Sequence, residues 1–480
     1  MKDYIVVIGG GLAGCEAAYQ IAKKGIKVKL YEMKPEHFSP AHSSKCLAEI
    51  VCSNSFKSNL LTNACGLLKE ELRRLDSLLI KVADETSVPA GQALAVDREK
   101  FSKKITDIIE ENDNIEIIRK EVRSKFDKTK SNSNDVVYFE DLIEDGIVII
   151  ATGPLTSDSL SIAINKLIGD NDLHFYDAAA PIVSKDSINF SIAFYGNRYD
   201  EEKKKDEDVE TWKERINKQD KSYINLPMNK EEYERFWNEL VNSEIVELHN
   251  FEKKEIFEGC MPVEVMAKRG IDTLRFGPLK PVGFDDPRTA KRPYAVVQLR
   301  QDNEEATLYN IVGFQTNLKF GEQKRVFSLI PGLANAEFVK YGVMHRNTFI
   351  NSTELLDNTY NLKMNRNVYF AGQITGVEGY VESISSGMVA SLNAIQRFLQ
   401  VKVKEITKCD EGYNESKVEF SELTMIGALA KYISTLKDNF QPMNANFGIL
   451  PELDKKIKDK KQRYSAFSNR ALEKLKEITK

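Results

Sequence analysis

No stretch of this chain approaches the roughly 18 to 20 consecutive apolar residues that a membrane span needs. The opening MKDYIVVIGGG holds too short an apolar run for a secretory leader and leads straight into glycines, so it reads as a strand and loop. Histidine is scarce: five among 480 residues, no two of them four apart, which argues against a helical metal site. The six cysteines, at 15, 46, 52, 65, 260 and 409, show no paired spacing. Neither a zinc framework nor a disulfide scaffold is therefore expected, and a reducing cytoplasm is the expected compartment. Excess positive charge is missing as well, with 68 Lys and Arg against 72 Asp and Glu and a formal net charge of −4. The chain as a whole is no polycation, yet residues 265–300 hold eight basic side chains against three acidic, and residues 451–480 hold ten against five. Such stretches could track a phosphate backbone or be solvated faces.

What is present begins with YIVVIGGGLAGCEAAYQIAKKGIKVKLYEM, which reads as one βαβ unit. An apolar strand over residues 4–8 meets Gly9, Gly11 and Gly14 in the G-x-G-x-x-G spacing, and a helix then runs to Gly25. The first glycine permits the tight turn, the second lets a pyrophosphate approach the backbone, and the third lets helix and strand pack closely. A helix N-terminus there offers unpaired N–H groups to an anion. The second strand ends in Glu32, 18 residues past Gly14, where an acid should accept ribose hydroxyls. Two later segments favour a resident flavin over NAD. DGIVIIATGP (145–154) is a buried return strand ending at Gly153, and NVYFAGQITGVEGYVESISSGMVASLNA (367–394) places a strand and a glycine turn before a helix of small residues. The fold class expected is α/β: a doubly wound, glutathione-reductase-like FAD domain with an inserted α+β domain. The boundaries expected are 1–190 and 326–480 for the two parts of the FAD domain, the second with a basic helical C-terminus, and 191–325 for the insertion. The charged stretch 197–223 reads as a solvated helix or loop.

Beyond these general signals, LAEIVCSNSFKSN, ADETSVPAGQALAVDR, FEGCMPVEVMAKRG, RFGPLKPVG, KRPYAVVQLRQD, KYGVMHRNTFIN, AGQITGVEGYVES and NFQPMNANFGIL together resemble the TrmFO family. These are folate- and FAD-dependent tRNA (uracil-5-)-methyltransferases, and the resemblance runs nearly the whole chain. It implies that a one-carbon unit passes from 5,10-methylenetetrahydrofolate by way of reduced FAD to C5 of a uridine in the tRNA T-loop, giving 5-methyluridine, with NAD(P)H as reductant. It implies further that Cys52 lies beside the flavin, where Lys57 or a helix N-terminus could favour a thiolate. His345 would stack on the folate pterin, with Arg346 and Asn347 as polar contacts, and Gly372, Gln373 and Gly376 would form the flavin-ring loop. No metal and no membrane partner are implied.

One position departs from the family pattern. Where the family carries a cysteine that attacks uridine C6, this chain reads YINLPM, with Leu226. A leucine cannot add to the ring. Three readings therefore stand: uridine methylation with another thiol, Cys260 or Cys52, on tRNA or on rRNA as in a paralogue; a folate-linked or simple NAD(P)H-dependent flavin oxidoreductase; or an RNA-binding flavoprotein without catalysis.

Overall fold

The computed structural model describes the chain apart from residues 1, 40, 129–135, 170–171, 179, 199–203, 205, 218–222, 247–260, 287, 343, 408–416, 438–439 and 478–480, and describes residues 172–178, 213, 216–217, 344–347 and 406–407 as backbone. Its first sheet has six strands in the order Asn361–Leu362, Asn365–Phe370, Ile147–Ile150, Tyr4–Ile8, Lys27–Tyr31 and Ile115–Ile118. All neighbours are parallel except the antiparallel pair at the Asn361 edge. The central strands are near-continuous β-branched runs because both faces are covered. From Tyr4–Ile8 the chain moves to Lys27–Tyr31 on one side and later returns at Ile147–Ile150 on the other. A crevice opens at such a switch point, beyond the carboxyl ends of the strands. This is the doubly wound arrangement expected from the sequence.

Two helices cover the crevice floor. Leu12–Lys23 follows the glycine turn, and the 28-residue helix Tyr380–Thr407 packs across it. Their close approach depends on small side chains: a Cβ on Gly387 would lie 2.3 Å from the Ala13 carbonyl oxygen. The C-terminal helix Lys460–Leu475 buries Phe467, Ala471, Leu472 and Leu475 and packs on the helix Ala64–Arg74.

An antiparallel ribbon, Asp172–Ala178 paired with Met344–Ile350, carries the chain toward the second sheet and back. That sheet is antiparallel throughout, in the order Phe194–Tyr195, Tyr223–Met228, Ala295–Gln301, Leu308–Ile311, Ile182–Ser184 and Phe338–Lys340. Alternation decides its faces. Ile224, Leu226, Met228, Ala295, Val297, Leu299, Tyr309, Ile311 and Val183 join a separate apolar core, closed by Tyr233, Phe236, Phe314 and Phe327. The opposite face is mixed, with Asn225, Gln298, Arg300 and Asn310 beside Pro227, Val296 and Ile182, and its Arg300 end meets the first domain. Within the charged stretch expected to be solvated, the helix Val209–Asn217 forms and buries Trp212 fully, so one aromatic anchors an otherwise polar segment.

Candidate functional site

The switch-point crevice encloses about 1080 Å³ of empty space, part of it open to solvent. Its floor is the turn Gly9–Leu12. Gly9 has φ +105°, and a Cβ there would lie 2.4 Å from the Ala151 carbonyl oxygen. A Cβ on Gly14 would meet the Gly9 carbonyl oxygen at 1.8 Å, so the helix can start this close to the strand only at glycine. Gly11 differs, because a Cβ there would meet no protein atom within 4 Å. The room beside Gly11 faces the N-terminus of Leu12–Lys23, where unpaired N–H groups and the helix dipole favour an anion. Glu32 stands at the end of the neighbouring strand, buried, its carboxylate accepting from the Gly10 N–H and the Lys34 N–H, both at 2.9 Å. Lys120–Val122 line the crevice at one end, and Gly153, Gly372 and Gln373 also line it. A diphosphate-linked dinucleotide fits this outline: open backbone at Gly11 for the pyrophosphate, the Glu32 carboxylate for a ribose, and a crevice volume that admits two ring systems.

The glycine-rich loop before Tyr380–Thr407 is held by its own helix. The Gly372 N–H donates to Ser386 Oγ (2.6 Å), and Gln373 Nε2 donates to Glu378 (2.7 Å). Gly376, by contrast, is a turn position outside the crevice lining, where a Cβ would strike the Phe440 ring at 2.4 Å. Tyr380, which lines the crevice, accepts from the backbone N–H of Cys52 (2.9 Å) and of Ser53 (3.1 Å). Burial, and after it the adjacent Cys52, push the Tyr380 hydroxyl up, so it stays a neutral phenol. Cys52 is thereby fixed on a half-buried loop immediately after Val51, itself a crevice residue. Lys57 pairs with the buried Glu382 (3.6 Å).

The second sheet closes over this loop. Arg98 Nη1 donates to the Ile50 carbonyl (3.0 Å), while its Nε donates to Asp302 (3.1 Å). Asn54 Nδ2 donates to the carbonyls of Val96 (3.0 Å) and Gln301 (2.9 Å), and Asn54 Oδ1 accepts from Arg300 Nε (3.0 Å). Asp97 caps the helix Arg98–Glu110 through the Lys100 N–H and also accepts from the Glu304 N–H (2.9 Å). The Arg300–Glu304 end of the second sheet therefore lies directly against the Cys52 loop and the start of the following helix.

Leu226 lies on the other face. It is fully buried in the second core, and one of its methyls sits 2.7 Å from where a Cβ of Gly332 would be. The other expected site residues fall as follows. Gly9, Gly11, Glu32, Gly153, Gly372 and Gln373 line one crevice, with Gly14 packed behind it. His345, Arg346 and Asn347 lie on the ribbon, with backbone partners Asp177, Tyr176 and Phe175, and their side chains fall outside the description. Cys260 lies outside the described residues. Among the described residues, no group of three or more His, Cys, Asp or Glu side chains could hold a metal, and no helix is long and apolar enough to cross a membrane. The sequence alone does not mark Tyr380, Asn54, Arg98 or Arg300 as site residues. The available signal was Arg300 in the alternating run YAVVQLRQ, a charge at a position parity places on one face.

The chain matches the family model described as "Glucose inhibited division protein A" over residues 4–402. It is 57% identical over 478 residues to "Methylenetetrahydrofolate--tRNA-(uracil-5-)-methyltransferase TrmFO" of Acetivibrio thermocellus, covering 99% of both chains. It is 53% identical over 482 residues to the protein of the same name from Fusobacterium nucleatum, covering 100% of both. Among solved structures it resembles Aquifex aeolicus GidA in two crystal forms, with TM-scores of 0.64 and 0.65 at 17% and 16% identity, over 99% of this chain and 73% and 76% of that one. At that identity the structural likeness is one of fold, while the near-complete, high-identity matches carry the family. The chain belongs to the TrmFO family.

Proposed function

We propose that this protein transfers a methyl group from 5,10-methylenetetrahydrofolate to C5 of a uridine in tRNA, with FAD as resident cofactor and NAD(P)H as reductant. The observation that carries the reading is 57% identity over 99% of the chain to a relative named for that reaction. FAD, when bound, supplies the redox and one-carbon chemistry, and the protein supplies position and electrostatics. The open backbone at Gly11 and the helix behind it hold the pyrophosphate, and Glu32 accepts the ribose hydroxyls. Gly372 and Gln373 flank the ring end, and Tyr380 pins the Cys52 loop there. His345, Arg346 and Asn347 take the folate, on a ribbon between the two sheets. Cys52 or Cys260 serves as the thiol at the reacting base, because Leu226 cannot.

The burial of Leu226 favours one second reading, a folate-linked or simple NAD(P)H-dependent flavin oxidoreductase that has lost RNA methylation. The two readings part in one assay. Unmodified tRNA and rRNA transcripts are each incubated with the protein, NADPH and radiolabelled methylenetetrahydrofolate. Label in tRNA supports methyl transfer. Label in rRNA alone would move the target, and NADPH consumption without RNA label would favour the oxidoreductase.

A further inference from the structure

The face of the inserted sheet that meets the Cys52 loop carries a continuous cross-strand row. Register pairs Tyr223 with Arg300, Arg300 with Asn310, Asn310 with Ile182, and Ile182 with Lys340. Directly paired residues share a face, with neighbouring Cβ atoms roughly 5 Å apart. The chemistry of this row is one-sided. Asn310 is 2% exposed and its Nδ2 has no hydrogen-bond partner among the described residues. Arg300 is 8% exposed and spends only Nε, on Asn54, while its terminal nitrogens make no hydrogen bond among the described residues. Lys340 is half-buried at the sheet edge and makes no hydrogen bond or ion pair among them. Arg300 reaches the Cys52 loop through its bond to Asn54, and register sets Lys340 in the same row. Asp302 is engaged by Arg98. A buried donor without an acceptor, as Asn310 Nδ2 is, is costly, and beside it the unspent nitrogens of Arg300 and Lys340 point to a ligand that supplies acceptors.

We propose that Arg300, Asn310 and Lys340 form the subsite for the target uracil, donating to its carbonyl oxygens while Cys52 and the crevice lie on the other side. This rests on the methyltransferase reading and names what that reading leaves open, how the base is chosen. Uracil presents O2 and O4 as acceptors, whereas cytosine replaces O4 with an amino donor that this row would repel. A backbone phosphate suits it less well. Arg300 and Asn310 are almost wholly covered, and a phosphate tethered on both sides stays at the rim, where an extruded base can enter.

Three variants test the assignment: Asn310→Ala, Lys340→Met and Lys340→Arg. Each is purified with its flavin absorbance recorded as a check of fold, then assayed on an unmodified tRNA transcript with methylenetetrahydrofolate and NADPH. Loss of a donor to the reacting base should lower kcat about tenfold or more for Asn310→Ala and Lys340→Met. KM for tRNA should change little, and Lys340→Arg should recover most of the loss. Unchanged kcat in both flavin-replete variants overturns the proposal. So does a raised KM with unchanged kcat and a flatter salt dependence, which would mark a phosphate contact. If the wild type itself methylates no RNA, the parent reading fails and the subsite with it. Label from the wild type with unaffected variants sinks the subsite alone.

Discussion

Substitution Leu226→Cys would restore the thiol that the family pattern places at this position. The strand Tyr223–Met228 argues that it would not restore a working nucleophile. Leu226 points with Ile224 and Met228 into the second core, away from the Cys52 loop, and is fully buried. The change removes about two carbons of buried volume, roughly 1.6 kcal/mol at about 0.8 kcal/mol per CH₂. A residual cavity beside Gly332 brings the cost to about 2–3 kcal/mol. For a domain of this size that lowers Tm by about 5 to 10 °C. The assay is titration of the native variant with a chromogenic disulfide reagent, alongside tRNA methylation. The new thiol should stay unreactive until the protein is denatured, and methylation should not rise. Rapid reaction of the introduced thiol in the native variant, together with increased methylation, would refute the facing deduced from sheet parity.

Other expectations follow from single features. Gly11→Val should leave the fold intact, because a Cβ there meets nothing in the protein, yet should fill the pyrophosphate's room. Purified variant should be colourless with a near-native Tm, and a fully yellow variant would contradict the assignment. Asp302→Asn leaves Arg98 without its carboxylate partner across the domain junction, where Asp302 is 5% exposed. A loss of about 3 kcal/mol is expected, read as a lower denaturation midpoint and faster proteolysis between the domains; an unchanged midpoint would mean the pair is structurally idle. Glu71 accepts from the Met425 and Ile426 N–H groups, yet burial, its dominant influence, raises its carboxyl to about 8. Since its folded pKa lies above the unfolded one, its contribution to stability is full below the ordinary glutamate range and is lost as pH rises through about 8. Wild-type Tm should therefore fall relative to Glu71→Gln between pH 6 and 9, and a constant difference would contradict the raised pKa.

Much of the first domain was legible because its signals are local. The strand, glycine turn, helix and acid ending at Glu32 lie within one short segment, and each glycine has a separate steric reason to be there. The return strand Ile147–Ile150 and the strand Asn365–Phe370 were visible as apolar runs, although their adjacency in one sheet was supplied by topology. The junction was much less legible. Arg300 and Asn310 lie ten residues apart and Lys340 thirty further on, and the three share a row only through strand register, including a bulge between Ile182 and Val183. Leu226 shows the same limit from the other side. The sequence motif marks the position as chemically important, but only its pairing with Val297 and its core neighbours reveal which way it faces. Trp212 was likewise hidden in a run of charges, where composition suggested solvent.

The most direct test of the account is nucleoside mass spectrometry of an unmodified tRNA transcript after incubation with purified protein, FAD, NADPH and isotope-labelled methylenetetrahydrofolate, with no S-adenosylmethionine present. The expected result is 5-methyluridine carrying the folate-derived isotope, formed although residue 226 offers no thiol. NADPH consumption with no labelled 5-methyluridine in the transcript would contradict the account and leave a flavin oxidoreductase on a methyltransferase frame.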